Sequence, residues 1–574
     1  MDNTLHEDYL RFKDNPEDIF PTINHENEDK IKQILIELNH NDNLDVCEYA
    51  VTAIENGTNV FYINTFLGDI ISELKLNKES LLRYYRIINH SLQGDFVNHT
   101  QYDQIQRITT KQPFFAGEFL EYLMLFDELF IFQYIVEIIL YLDRFNIIEK
   151  HSRLLEMINS NIEQQIICGI NGLGRIDYFE NFDLLSKTLL CFDSLLRNEQ
   201  HIINGAITMS LRLLYRHGDI IISRLIYLSN RNDPFILKEI SNFLFFEYKN
   251  IYKESYFEIF LFSLVNINSK YLGRNNYIDM LLSSMINEEE NINLVIDFLI
   301  KWMTNSDCKP GKIESLQLLD CTLSGIFSNI SILQKTLLLL LNNDNIYAPW
   351  LASYIVSSNT YSNHQNIYFD TDSLSEIDYT DIIFICRKIL GYFIHSQTIL
   401  SLFYSLLIGK KDNVKIVRFL TNCFIEYIGY NYPITTIKYF ERILCDKELD
   451  ATLKPICNNI LEIIKSILKE RTEKQKLKEL EPSRKDIFLL YREEWRKDQK
   501  ISELAEKKSI LNLISSRSYI KYGKAASYHI NGDITDPQPL KCISFSMELP
   551  YDLYVDPVKF EEDEYNFRLA NRNE

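Results

Sequence analysis

The sequence predicts a mainly α protein: an α-solenoid of stacked antiparallel helix pairs, ending in a small C-terminal β hairpin and an extended tail. Three observations carry this expectation. Among 574 residues there are only 17 Gly and 13 Pro, each less than half the usual share and too few for an all-β or loop-rich fold. Apolar residues recur at the helical period along most of the chain. The periodic runs are short, about 12 residues, and helices of that length cannot bury a face alone, so they must stack.

The stretch from Gly205 to Tyr248 shows the pattern best. From Ala206 to His217, Thr208, Arg212 and Arg216 fall every four positions, while Ile207, Leu211 and Leu214 lie off that stripe. Arg216 and His217 suit the negative end of a helix, and Gly218 follows where a left-handed residue is cheapest. Asp219 is placed to cap a second helix carrying Ile221, Ile222, Leu225 and Leu228. Asp233-Pro234, a cap followed by a first-turn proline, opens a third with Leu237, Ile240, Leu244 and Tyr248 inward.

Residues 1–28 are polar and acidic, with Pro16 and Pro21, and read as an arm or loose cap. The helical-repeat body is expected over 29–470. It begins with Ile31, Ile34, Leu35 and Leu38 and continues through Leu44–Glu55, Phe66–Leu76 and Leu81–Leu92. Residues 93–113 look like a polar break. Phe114 to Phe145 is the most apolar helical pair and is expected to be buried on two sides. The 205–248 pattern recurs over 381–429: a helix from Asp381 to Ile394, another from Thr398 to Ile408, then Gly409, and a third started by Asp412. Ser357–Asp381, rich in Ser, Asn, Asp and Tyr, reads as a long loop.

From 471 to 524 runs of mixed charge, divided by Pro482, read as long solvent-laced helices with many i,i+4 pairs. Residues 525–574 are expected to form a β hairpin and acidic tail. Asn531-Gly532 is a strong hairpin signal, flanked by Tyr528, Ile530 and Ile534. Residues 541–549 then alternate, with Ile543, Phe545, Met547 and Leu549 on one face. Those four are the candidate interaction residues, as a cap on the body or as a strand offered to a partner.

Hydrophobic residues make up 46% of the chain, including 35 Tyr and 35 Phe, enough to build a core. The net charge of −20 disfavours nucleic acid and anionic membrane surfaces as partners. The ten cysteines, at 47, 168, 191, 308, 321, 386, 423, 445, 457 and 542, contain no CxxC and read as reduced thiols of a cytosolic protein. The acidic N-terminus has no apolar segment of the signal-peptide kind. The most apolar run, Leu123 to Phe145, is interrupted by Asp127, Glu128 and Glu137, so no membrane span is expected.

Cys168-Gly169-Ile170-Asn171-Gly172-Leu173-Gly174-Arg175-Ile176-Asp177 resembles the Gly-rich dinucleotide turn of glyceraldehyde-3-phosphate dehydrogenases over this short stretch only. That turn needs a strand before the glycines and a helix after them. Here Leu154–Cys168 has helical spacing and no second βαβ unit follows, so a helix ending in a Gly-rich turn is the expectation. The eleven histidines form no HExxH, and no GxSxG or P-loop occurs. No catalytic, cofactor-binding or metal-binding residue is assigned. Tyr519, Lys521, Tyr522 and Lys524 form a small basic-aromatic stretch, read as a surface element.

The paired amphipathic helices and their turn punctuation over about residues 29–470 resemble the HEAT/armadillo class of helical-repeat proteins, a resemblance of architecture. It implies protein or peptide binding along a concave surface, without catalysis. The expected function is therefore a non-catalytic cytosolic scaffold or adaptor with a protein partner. One alternative is an inhibitor or immunity protein whose acidic surface masks a basic partner. Another is an enzyme or nucleic-acid-binding helical-repeat protein, like the helical-repeat DNA glycosylases, whose basic groove sits poorly with the net charge.

Overall fold

The computed structural model describes residues 9–13, 19–22, 27–42, 44–91, 95–198, 200–272, 276–304, 316–359, 366–446, 449–474, 476, 484–508, 518–519, 525–530, 533–534, 538–539 and 548–572. The protein is mainly α. Two compact units make up the chain: residues 1–282 with 304–320, and 283–303 with 321–574.

The first unit opens with α1 (Glu28–Asp42), α2 (Val46–Glu55), α3 (Val60–Ile70) and α4 (Lys78–Ser91). Asp45 and Asn59 cap α2 and α3 through their side-chain oxygens, as short polar residues before an apolar run should. The N-terminal arm is anchored: Phe12, Ile19 and Phe20 are buried, and Phe20 meets Phe66 edge-on at 6.2 Å.

Residues 93–113 are not a break. Asp95–Lys111 is a helix, α5, and its polar residues are core residues. Gln101, Gln104 and Thr109 are buried. Gln104 Nε2 donates to Asn64 Oδ1 of α3 at 3.1 Å, and Asn64 Oδ1 also accepts from the Tyr84 hydroxyl of α4 at 3.2 Å. Gln101 Oε1 accepts from the Tyr134 hydroxyl at 2.5 Å and from Asn89 Nδ2 at 3.1 Å. A polar sequence here marks side chains that hydrogen-bond from helix to helix within the core.

Next come α6 (Pro113–Leu123), α7 (Leu129–Tyr141), α8 (Ile147–Ile158), α9 (Glu163–Leu173) and α10 (Phe182–Leu195). Every α7 residue from Ile131 to Ile139 except Gln133 is buried, as a helix apolar nearly all round requires. The unit continues through α11 (His201–Leu213), α12 (Asp219–Ser229), α13 (Pro234–Ile251) and α14 (Phe257–Ser263). Asp233 caps α13 by accepting from Phe235 N. Gly218, at φ +86°, rather than Asp219, takes the cap position of α12, a backbone angle that favours glycine. Alternate helices α3, α5, α7, α9, α11 and α13 pack in a row, each on the next.

The second unit contains α15 (Asp320–Ser328, at its boundary), α16 (Ile330–Leu341), α17 (Tyr347–Asn359), α18 (Tyr379–Tyr392), α19 (Ser396–Gly409) and α20 (Val414–Asn422). Asn413 caps α20, one residue after the expected Asp412. A π-turn, Cys423–Ile428, carries the chain on towards α21 (Pro433–Leu444) and α22 (Lys454–Lys474). A long helix, α23 (Arg484–Lys508), follows. Four short extended segments come next: β1 (Ser518–Tyr519), β2 (Ala525–Ile530), β3 (Asp533–Ile534) and β4 (Gln538–Pro539). β2 pairs antiparallel with each of the others.

The acidic tail beyond residue 550 is helical, not extended. It forms α24 (Tyr551–Val555) and α25 (Pro557–Leu569). Asp556 caps α25 by accepting from Lys559 N at 3.1 Å, with Pro557 in the first turn, the start signal that also opens α13. This strap is fastened to the second unit by reciprocal capping. Tyr432 supplies no side-chain cap to α21, and Glu548 does so instead, accepting from Ile434 N at 2.9 Å and Thr435 N at 2.6 Å. In return, Asn431 Oδ1 accepts from Asp552 N, at the start of α24, at 3.0 Å. At the other end Lys388 donates to the Arg568 and Ala570 carbonyls at 2.6 and 2.9 Å, where a cation suits a helix C-terminus. Arg471 lies over the rings of Tyr430 and Tyr551, 4.0 and 3.7 Å from their centroids, and Arg572 pairs with Asp344 and Asp381.

The close approach of α25 to α18 depends on Gly391. A Cβ there would sit 2.9 Å from Arg568 N. Gly391→Val should therefore lift the strap: hydrogen exchange of the 551–569 amides should rise to near-unprotected rates, with α21 and α22 protected as before. Unchanged protection over 551–569 would show that the strap does not need this contact.

Candidate interaction site

The glycine string is part of α9 and its end. Gly169 and Gly172 lie inside the helix, and Gly174 is an ordinary right-handed C-cap, so no phosphate-cradling turn forms. The glycines serve packing instead. A Cβ on Gly172 would stand 2.6 Å from Leu154 and 3.1 Å from Val136, and one on Gly174 would stand 2.6 Å from Ser210. α9 is thus drawn against α7, α8 and α11, and Ser210 Oγ donates to the Ile170 carbonyl at 2.8 Å.

This packing delivers Arg175 to Glu137, the one acidic residue within α7. Arg175 Nη2 donates to Glu137 Oε2 at 2.8 Å, and Gln106 and Gln133 donate to the same carboxylate at 3.0 and 2.9 Å. Burial pushes the Glu137 pKa up, but the Arg175 pairing and the two amide donors outweigh it, and the carboxyl lies below its usual range.

Arg175 also borders a cleft of about 330 Å³, whose apolar lining comes from Leu140, Ile147 and Ile176 and whose polar lining includes Lys150 and Asp177. The size falls at the small end for ligand pockets, enough for a side chain of a partner. Tyr141, Ile148, Phe179 and Phe182, at the same helix ends, are exposed. These four exposed residues form the ledge, and Phe179 packs against His217 of the α11–α12 connection with ring centroids 4.6 Å apart. Beneath it, His151 Nε2 is 2.9 Å from Thr188 Oγ1, itself 2.9 Å from the Tyr178 hydroxyl.

Of the residues singled out from sequence, Ile543, Phe545 and Met547 lie outside the described residues, as do Lys521, Tyr522 and Lys524. Leu549 lies in the irregular 548–550 stretch leading into α24 and is exposed. The ledge residues were missed. The available signal was aromatic and aliphatic residues at helix starts and ends, where a core face would not place them.

Among the described residues no group of three or more His, Cys, Asp or Glu side chains is gathered as for a metal ion. No single helix there is long and apolar enough to cross a membrane. Compared with known proteins, the sequence matches no family model and no curated protein.

Two outcomes follow for this region. Removing the Glu137 carboxylate takes the acceptor from partly exposed Arg175 and from Gln106 and Gln133, so Glu137→Ala should cost about 1.5–3 kcal/mol in denaturant unfolding; a loss under about 1 kcal/mol would show the pair is not a structural requirement. Burial, and then Lys187, hold the His151 pKa below its ordinary 6.5. Protons then bind the unfolded chain first, so the stability from neutral His151 is present above pH 6.5 and is lost as pH falls below it. The wild-type melting temperature should drop between pH 7 and 5, and His151→Gln should flatten that part of the profile.

Proposed function

We propose that this chain is a non-catalytic helical-repeat scaffold of the α-solenoid kind that binds a protein partner along the ledge around Arg175. The observation that carries the binding assignment is the cleft itself: a recess lined by Leu140, Ile147 and Ile176 together with Lys150, Arg175 and Asp177, with exposed Ile148, Phe179 and Phe182 close to these in sequence. Interface hot spots combine such a pocket for an apolar anchor with polar groups that fix direction.

The solenoid reading is supported by two regularities. Alternate helices pack in a row in the first unit. Side-chain hydrogen bonds between residues far apart in the chain mostly span one repeat's length, from 31 for Arg224 to Asp193 up to 46 for Tyr392 to Ile346, with several near 40: 39 for Arg107 to Gly68, 38 for Arg175 to Glu137, 40 for Ser210 to Ile170, 39 for Ser353 to Tyr392 and 41 for Arg471 to Tyr430. A spacing near 40 suits two-helix repeats of the HEAT/armadillo class. The register of Ile530 with Asp533 and of His529 with Ile534 supports a hairpin turning at Asn531-Gly532.

Panning a displayed peptide library against the full chain tests the reading. Enriched peptides should share an apolar or aromatic anchor. They should lose binding at least about tenfold, 1.4 kcal/mol, to Ile148→Asp/Phe179→Ser, while Val414→Ser, at an exposed position elsewhere, leaves binding intact. Enrichment that ignores the ledge variant would sink the assignment.

A further inference from the structure

Two amphipathic faces in the second unit are uncovered, and they are complementary. On α23 every described side chain is exposed. Phe488, Tyr491 and Trp495 stand at i, i+3 and i+7, on one face, at 65, 67 and 62% exposure. Beside them Arg492, Arg496 and Lys500 form an i,i+4 row. The helix holds eight basic and six acidic residues, a net +2 within a chain of −20.

On the strap, α25 is apolar on two sides. Phe560 is buried against the unit, and Phe567 meets Tyr427 edge-on at 5.1 Å. Facing away, Val558, Tyr565 and Leu569 stand at i, i+7 and i+11, at 73, 60 and 52% exposure. At 3.6 residues per turn, exposed Glu561 and Glu562 flank that stripe on either side. Single exposed apolar residues are ordinary. A helix apolar on both sides is normally covered on both.

We propose that α23 of one chain lies along the outward face of α25 of a second copy, and the reverse, closing a twofold dimer. The aromatic stripe covers Val558, Tyr565 and Leu569, and the Arg492–Arg496 row runs along one edge of that stripe, against the flanking carboxylate, Glu561 or Glu562, on the side it faces. Complementary charge selects the partner: a basic-edged aromatic helix and an acid-edged apolar one occur in the same chain. Within one chain both faces remain exposed, which favours exchange between copies over closure within one. Reciprocal exchange uses both faces of both copies and so closes at two, whereas one-way exchange would run head to tail. This pairing is independent of the ledge and its ligand.

The test uses the full chain in sedimentation equilibrium at low ionic strength, with circular dichroism to confirm that each variant folds. The wild type should form a dimer. Trp495→Ser and Tyr565→Ser, both at exposed positions, should each weaken it at least tenfold. Arg492→Glu/Arg496→Glu alone and Glu561→Arg/Glu562→Arg alone should each be monomeric, yet mixing the two should restore a heterodimer, because each then meets an opposite charge in the other. A wild type that stays monomeric, a dimer indifferent to these substitutions, or a mixture that stays monomeric would each overturn the proposal.

Discussion

A buried carboxylate in an otherwise apolar helix is the constraint on which much of the first unit depends. Glu137 sits in α7, which is covered by α5, α6, α8 and α9, and a charge there is tolerated only when paired and hydrogen-bonded. The partner, Arg175, lies just past the end of α9, so α9 must run close enough to α7 to deliver it. Gly172 eases that approach, since a Cβ there would stand 3.1 Å from Val136 of α7 as well as 2.6 Å from Leu154 of α8. The cleft lined by Leu140, Ile147 and Ile176 has Arg175 in its wall, and exposed Phe179 follows Arg175 on the same connection.

The second unit is organised differently. Its strap is fastened at its ends: a carboxylate on two amides of α21, an asparagine on the first turn of α24, a lysine on the last carbonyls of α25. Helix ends carry unsatisfied groups that some partner must meet, and here body and strap meet each other's. Such contacts are directional, so they fix the register of the strap along the body. The consequence is a helix with its outward stripe still available.

Much of the first unit was legible in the sequence, because its helices obey local rules. Asp233-Pro234 starts α13 as written, and the apolar run of α7 is buried all round. The polar stretch 93–113 misled because hydropathy cannot tell a polar loop from a helix whose Gln101 and Gln104 find Asn64, Asn89 and Tyr134 in the core. Those partners lie on other helices, and nothing local announces them. The strap misled for the opposite reason. Its acidic composition hid Asp556-Pro557, a start signal of the same form as Asp233-Pro234. The cleft was illegible because it needs Arg175 paired across 38 residues, and the string that leads to Arg175 drew attention to phosphate chemistry that its helical backbone does not support. The stripe Phe488, Tyr491, Trp495 was readable in principle, but the dense charge around it reads first as solvent exposure.

The strap also bears on how the chain folds over time. Contacts within the helical stack close loops of about 40 residues, as Ser210 does with Ile170, whereas Lys388 reaches the Ala570 carbonyl across 182. Loop-closure entropy grows only with the logarithm of length, so this longer closure costs about 1.3 kcal/mol more. The equilibrium penalty is small, but the kinetic one is larger, since distant contacts form slowly. During synthesis the amides of Ile434 and Thr435 and the ring of Tyr430 emerge more than a hundred residues before Glu548 and Tyr551 can cover them. For that interval the nascent second unit presents an open helix end and an uncovered aromatic face, the kind of surface that a ribosome-associated chaperone would recognise.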